Sequence, residues 1–326
     1  MSNKIYDNEL YNKEQKERYL KGFPINTYGV NKRVLKRASY IEEQLNKDLY
    51  DFNLREIEQL LSFLAPKTMT SCHSSVVAIQ SYIRWAIQED LRKDNINPLD
   101  AVMGESYYMK FVDTSIKSLF TDIEIERITD RLVNSQDSAI IQCLFEGIKG
   151  TGYSEILNIL KSDLSRESNI IELRDELNSG SMVRRKIEIS DNLMDMLFDA
   201  ANETTYQKNN GDSMAKAPES ELVENEYVFR SSILNIKEYG RASSHLILRR
   251  LKAISKLAGQ PQLTATNIQK SGMIKFGYDL YKERGVFDTE EIREVCSRFD
   301  IKINSSFRVR RDFLNINTIK SVYNEE

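Results

Sequence analysis

The amino-acid sequence predicts a mainly helical protein with one small antiparallel β-sheet, divided between two domains. Three observations predict it. The chain has 326 residues, 40% of them hydrophobic, which exceeds one ordinary small domain and can furnish two cores. Glycine and proline, at 13 and 5 residues, are too sparse to punctuate a strand-rich fold. Apolar residues recur at helical spacing along most of the chain, with only two stretches of β character.

In chain order, the spacing predicts helices over 30–48, 53–65 and 70–90, after which Pro98 in "DNINPLDAV" ends the helical pattern. The periodicity weakens from there to about residue 115. We place the domain boundary there, with a helical unit at 1–105 and a helix–sheet–helix unit at 106–326. The second unit opens with predicted helices at 122–133 and 137–148. "TGYSEILNILKSDL", residues 151–164, then predicts a helix over 153–161 following a glycine turn, with Ile156, Leu157, Ile159 and Leu160 as its buried stripe. "NIIEL" at 169–173 and "VRRKIEI" at 183–189 flank a polar turn with Asn178, Ser179 and Gly180, which predicts a hairpin. A helix over 190–201 comes next, then a polar stretch at 205–225 that suits a flexible surface loop. Further helices are predicted at 241–258, 265–283 and 288–299.

Composition excludes several kinds of chemistry. Cys72, Cys143 and Cys296 stand far apart among apolar neighbours, which predicts buried free thiols and neither a disulfide framework nor a metal site. His73 and His245 are the only histidines, too few for metal chemistry or histidine-based acid–base chemistry, and no cofactor is expected. No apolar run reaches the ~20 residues of a membrane span, and the charged N-terminus lacks a signal-peptide core. The expectation is a cytosolic, nucleoid-associated protein with no membrane partner. A net charge of -3 gives no global signal for nucleic acid, so that case rests on local basic clusters. Lys32, Arg33, Lys36 and Arg37 form one helix edge. "MVRRKIEIS", "HLILRRLK" and "SSFRVRRDF" supply three more, although Arg249 and Arg250 suit solvated helix positions equally well.

The order of segments resembles that of phage integrases and other tyrosine recombinases. "LREIEQLLSFLAPKTMTSCHSSVVAIQSYIRWAIQEDLRKDNINPLDAV" is similar to their helical core-binding domain, with its Ser/Thr-rich helix start, Trp85 and closing Asn97-Pro98. "LFTDIEIERI" resembles the first helix of their catalytic domain, "GTGYSEILNILKSDL" its first catalytic box, the hairpin its small sheet, "NEYVF" the strand-like segment after that sheet, and "LTATNIQKSGMIKFG" its second box. The resemblance implies a two-domain clamp, a core-binding domain followed by an α+β catalytic-like domain.

The departures fall on the chemistry. In the family two arginines, a lysine and one or two histidines stabilise a phosphate while a tyrosine attacks it. Alignment through Ser154-Glu155 puts the first arginine's position at Gly152, and the His-x-x-Arg positions of the second box at Thr266 and Gln269. The lysine has candidate analogues in Arg184, Arg185 and Lys186, among which the sequence does not choose. "SRFDIKINSSFRVRRDFLNINT" holds Phe307 and Phe313 where the nucleophile is expected, leaving Tyr323 in the tail. Each lost contact of this kind costs ~10²–10³ in rate, so the expectation is no enzymatic activity.

The resemblance then implies a sequence-specific repressor of transcription that binds operators in double-stranded DNA, similar to the regulators that maintain lysogeny in prophages. Self-association or a small protein or peptide regulator would be compatible with it. The alternatives are an active integrase using residues such as Tyr323, and an architectural accessory to recombination. Candidate DNA contacts in the first domain are Lys32, Arg33, Lys36 and Arg37, with Lys67, Thr68, Thr70, Ser71 and His73 at a helix start. There helix capping by Thr and Ser is the competing role. In the second domain they are Lys149, Thr151 and Tyr153 beside the first box, Arg184 and Arg185 on the hairpin, Asn267, Gln269 and Lys270 in the second box, and Arg308, Arg310 and Arg311 near the missing nucleophile.

Overall fold

The computed structural model describes residues 9–102, 104–113, 117–212, 217–233 and 239–325, and the chain divides into two compact units, 1–116 and 117–326. In the first, α1 (Lys13–Leu20), α2 (Ile25–Leu45), α3 (Leu54–Leu64), α4 (Met69–Gln88) and the short α5 (Glu105–Met109) surround one core that includes Leu35, Phe52, Leu60, Ile79 and Tyr82. Capping chemistry sets the helix starts. Asn53 and Glu56 close a reciprocal cap on α3, and Thr68 and Ser71 do the same on α4. The unit extends past the expected boundary at residue 105. Tyr107 and Tyr108 are buried in its core, and the Asp113 amide donates to the Pro66 carbonyl (2.9 Å).

Helix α1 is absent from the sequence expectations because its composition is nearly all polar. It docks through charge: fully buried Lys16 donates to Glu42 (2.6 Å) and to the Tyr11 carbonyl (2.7 Å). Asp48 lies 3.8 Å from the same ammonium and also accepts from the Tyr82 hydroxyl (3.1 Å).

The second unit is built round α7 (Ser135–Phe145), which packs against α6 (Asp122–Thr129), α9 (Asp191–Asn202), α10 (Ser244–Leu257) and α11 (Ala265–Arg284). Gly272 explains the closeness of α11 to α7, since a Cβ there would sit 1.7 Å from the Phe145 carbonyl oxygen. The hairpin pairs β1 (Ile170–Glu176) with β2 (Met182–Glu188), Leu173 opposite Arg185, and turns at Gly180 (φ 81°). A separate C-terminal core joins α11 to α12 (Thr289–Arg298), α13 (Ser306–Asp312) and α14 (Ile316–Tyr323) through Ile274, Val295, Leu314 and Ile319. All three cysteines are free and buried. Among the described residues no helix is long and apolar enough to cross a membrane.

Two expectations need correction. The predicted helix over 153–161 is a single turn, α8 (Ser154–Leu157), because the chain beyond it runs extended to pair with 226–228. The Val228 amide donates to Ile159 (3.0 Å) and the Lys161 amide to Glu226 (2.8 Å). Ile156, Leu157 and Ile159 are buried as expected, and Leu160 only partly. The polar stretch at 205–225 is a second hairpin, β3 (Thr205–Gln207) with β4 (Glu219–Glu221), although 213–216 lie outside the described residues. Asn134 fixes it as a strand edge would, exchanging two hydrogen bonds with the Gln207 backbone (2.7 and 2.9 Å).

Burial raises the Glu42 carboxyl to about 7, more than Lys16 lowers it. The folded chain therefore holds a proton that the unfolded chain releases above the ordinary value of 4.5. This contribution to stability is complete below that value and is lost as pH rises through about 7. Denaturation of wild type and Glu42→Gln across this window should show a difference that changes by up to about 1.4 kcal/mol per pH unit. Parallel profiles would show that Glu42 does not titrate there.

Candidate nucleic-acid interface and the first-box turn

The first box is a turn of left-handed residues. Gly150 (φ 68°), Gly152 (φ 59°) and Tyr153 (φ 70°) lead into α8. At Gly150 a Cβ would stand 2.6 Å from an Asp175 oxygen, so this glycine is sterically required. At Gly152 the space is open, with nothing within 4 Å, yet the backbone is one that side-chain-bearing residues seldom adopt. The position expected from the sequence resemblance to correspond to an arginine thus has a backbone suited to glycine.

Carboxylates occupy the inside of this turn. Buried Asp175 accepts from the Thr151 amide (2.6 Å), the Thr151 hydroxyl (3.2 Å) and the Ser154 hydroxyl. Buried Glu155 accepts from the Lys149 amide (2.9 Å) and from Arg185 Nε and Nη2 (2.6 and 2.9 Å). Arg185 also donates to the carbonyls of Gly147 (2.8 Å) and Arg298 (2.7 Å). Burial would lower the Arg185 pKa, and the bonds to Glu155 reverse that, leaving it raised. Asp300 is shifted upward by burial and by the negative charges of Glu155 and Asp175, against the pull of Arg185. Three carboxylates thus surround one committed guanidinium. The sequence reading missed Asp175 and Asp300. Its one available signal was the alternation of β1, which sets Ile171, Leu173 and Asp175 in a single buried series.

The other candidates divide by what their side chains already do. Arg185, expected as a DNA contact, is tied to Glu155 (2.6 Å), whereas Arg184 is exposed and pairs with Glu172 (3.1 Å). Thr151 is held on Asp175, and Tyr153 packs partly buried on the core. In the second box Thr266 is exposed and Gln269 and Lys270 are partly buried, Lys270 lying over the Phe313 ring (4.9 Å) with its pKa lowered by desolvation. Asn267 is less available than expected, because its amide donates to the Gln262 carbonyl (2.9 Å). Arg308 and Arg310 are exposed, the latter paired with Asp288 (3.0 Å), and Arg311 lies near the Phe307 ring (5.9 Å). Arg250 is no solvated position: it is buried against Asp137 (3.5 Å) and the Tyr206 ring (4.5 Å).

In the first unit, Arg37 donates to the Leu64 carbonyl (2.7 Å) at the end of α3, and Lys32 lies on Tyr28. Arg33 is exposed and Lys36 partly so, and neither makes an ion pair among the described residues. At the start of α4, Lys67 pairs with Asp113 (2.6 Å), and Thr68 and Ser71 cap the helix. Thr70 is partly buried, and His73 packs edge-on to Tyr108 (5.2 Å).

Tyr323 lies in α14, stacked on Tyr278 with ring centroids 4.0 Å apart, and its hydroxyl donates to Asp122 (3.3 Å). Burial and the Asp122 charge raise its pKa, favouring the protonated phenol.

Arg185→Ala would strand Glu155 without its cation, so urea denaturation should report a loss of about 3–5 kcal/mol. Arg184→Ala should stay within about 0.5 kcal/mol of wild type. Equal small losses would mean that the buried pair does not hold the turn.

Comparison with known proteins places these features in a family. Residues 10–88 match the family model described as MrpR, N-terminal core-binding domain, and residues 119–324 that described as MrpR, C-terminal catalytic domain. The SPbeta prophage-derived protein YopR of Bacillus subtilis (strain 168) is 30% identical over 323 residues, spanning 97% of this chain and 98% of that one. Among solved structures, XerA recombinase is similar at 16% identity and a TM-score of 0.43, covering 96% of this chain and 98% of that one. A lambda integrase dimer bound to a COC' core site is similar at 11% identity and a TM-score of 0.44, covering 92% and 75%. The chain belongs to the MrpR family, whose tyrosine-recombinase-like architecture joins a helical core-binding domain to a catalytic-type domain with a small antiparallel sheet.

Proposed function

We propose that this protein is a sequence-specific double-stranded-DNA-binding repressor of transcription, of the kind that keeps a prophage dormant, and that it performs no strand cleavage. The observation that carries the reading is the first-box turn. Gly152 stands at the arginine position in a left-handed backbone, and the polar groups inside the turn are committed to Asp175 and Glu155. Phosphoryl transfer needs preorganised cations on the phosphate, whereas carboxylates there raise the barrier. Thr266 and Gln269 in the second box are neutral, and the Tyr323 phenol is bound to Asp122, which supports the same reading.

DNA binding does not need that machinery. It rests on phosphate contacts from cations that are free to exchange their counterions, and Arg33, Lys36 and Arg308 are exposed or partly exposed candidates. The prophage origin in the name of YopR supports the regulatory context.

Genome-wide occupancy mapping tests the function: sites centred on promoters support repression, and a single attachment-like site would indicate recombination. On an operator so identified, Arg33→Ala should weaken specific and random duplexes alike and lower the slope of log affinity against log salt by about one. A suicide duplex should trap no covalent adduct with wild type or with Gly152→Arg, because groups that act as a unit are not restored singly. An adduct on Tyr323 would overturn the assignment.

A further inference from the structure

The second unit carries a groove that the DNA-binding reading does not use. It is a hollow of about 220 Å³ between α6 and the end of α10, floored by Phe120, Ile128, Leu132 and Leu257. Phe120 is buried, but Leu257 keeps 52% of its surface exposed, an arrangement that leaves apolar area available to an occupant. Arg127 and Arg131 stand on the rim, both exposed and without an ion pair among the described residues. The rim's carboxylate, Glu124, is already neutralised by Lys117 (2.6 and 2.8 Å) and accepts the Thr121 amide (3.0 Å) at the start of α6. The hollow is thus apolar below and positive above. The backbone that carries Arg131 is fixed in place, since its carbonyl accepts from Asn210 (2.8 Å) and its amide donates to the Ile128 carbonyl (3.3 Å).

A DNA phosphate would satisfy the arginines but leave the apolar floor wet. A second copy of the chain would need about 800 Å² per partner for a stable contact, far more than a hollow sized for one or two side chains provides. We propose that the groove docks a short acidic–apolar segment of a partner protein. One bulky aliphatic or aromatic side chain would sit on Phe120, Ile128, Leu132 and Leu257, with carboxylates beside it pairing with Arg127 and Arg131. Apolar contact supplies affinity, and the two guanidiniums set the preference for acidic sequence.

The test uses the full chain with methyl-labelled isoleucine and leucine, titrated with three synthetic peptides. The first has a Glu-Asp-Leu-Phe-Asp-Glu centre, the second carries lysine in place of every acid, and the third carries serine in place of leucine and phenylalanine. The proposal expects the first alone to shift the methyls of Ile128, Leu132 and Leu257. The Arg127→Glu, Arg131→Glu double variant should lose at least about tenfold in affinity for it and gain affinity for the lysine peptide. Leu257→Ser, at a half-exposed position, should weaken the first peptide while leaving the melting temperature unchanged. The inference is overturned by no shift at about millimolar peptide, the weak limit of useful docking. It is equally overturned if the three peptides act alike, if the same methyls respond to protein concentration alone, or if they respond to a short random DNA duplex.

Discussion

The ion pair between Arg185 and Glu155 is the contact on which the arrangement of the second unit turns. One guanidinium reaches the first-box helix through Glu155, the preceding turn through the Gly147 carbonyl, and the end of α12 through the Arg298 carbonyl, while its backbone belongs to β2. Three stretches remote in sequence, around residues 147–155, 185 and 298, are thereby fixed to one planar group. Such a pair is worth little against an apolar replacement of equal shape, yet breaking it by half leaves a charge that nothing else can solvate. Gly147 shows how tight the junction is, since a Cβ there would press against the Arg298 oxygen at 3.1 Å and the Phe299 ring at 3.3 Å.

That tie shows how the polar groups of a catalytic-type frame can be committed to its own structure. A turn that grips a phosphate must present donors outward and keep cations uncommitted. Here the donors of Thr151 and Ser154 point to Asp175, and the Arg185 guanidinium is spent on Glu155. The turn has become self-satisfied: its polar groups are paired within the protein, where they hold α8 and the hairpin together. Stability and phosphate affinity compete for the same groups, and in this chain the structural use has them.

Much of the fold was legible because local rules agreed with the tertiary outcome. The starts of α3, α4 and α6 carry Asn53-x-x-Glu56, Thr68-x-x-Ser71 and Thr121-x-x-Glu124, each a reciprocal cap. The β1–β2 hairpin was marked by its turn residues and by apolar alternation. The missed elements depend on partners distant in sequence. α1 has a polar composition that makes sense only when Lys16 meets Glu42 and Asp48. α8 stops early because residues 226–228 pair with the extended chain at 159–161, and β3 and β4 rely on Asn134, some seventy residues away. The site showed the same division. Gly152, Thr266 and Gln269 were singled out because a departure in residue type shows in one line of sequence. The paired states of Arg37, Arg185, Asn267 and Arg250 depend on carbonyls and carboxylates that spacing alone does not reveal.

This division bears on how a basic cluster should be interpreted in a mildly acidic chain. "NKRVLKRAS" looks like four equivalent cations, but Arg37 ends α3 and Lys32 rests on Tyr28, which leaves Arg33 and Lys36. "VRRK" looks like two adjacent arginines, but strand alternation sends them to opposite faces, Arg184 to solvent and Arg185 into the turn. Counterion release requires a cation that still has a counterion to release, so phosphate affinity tracks the uncommitted residues and not the count of Lys and Arg. Within each of these two clusters some cations build the protein, and others stay exposed to solvent.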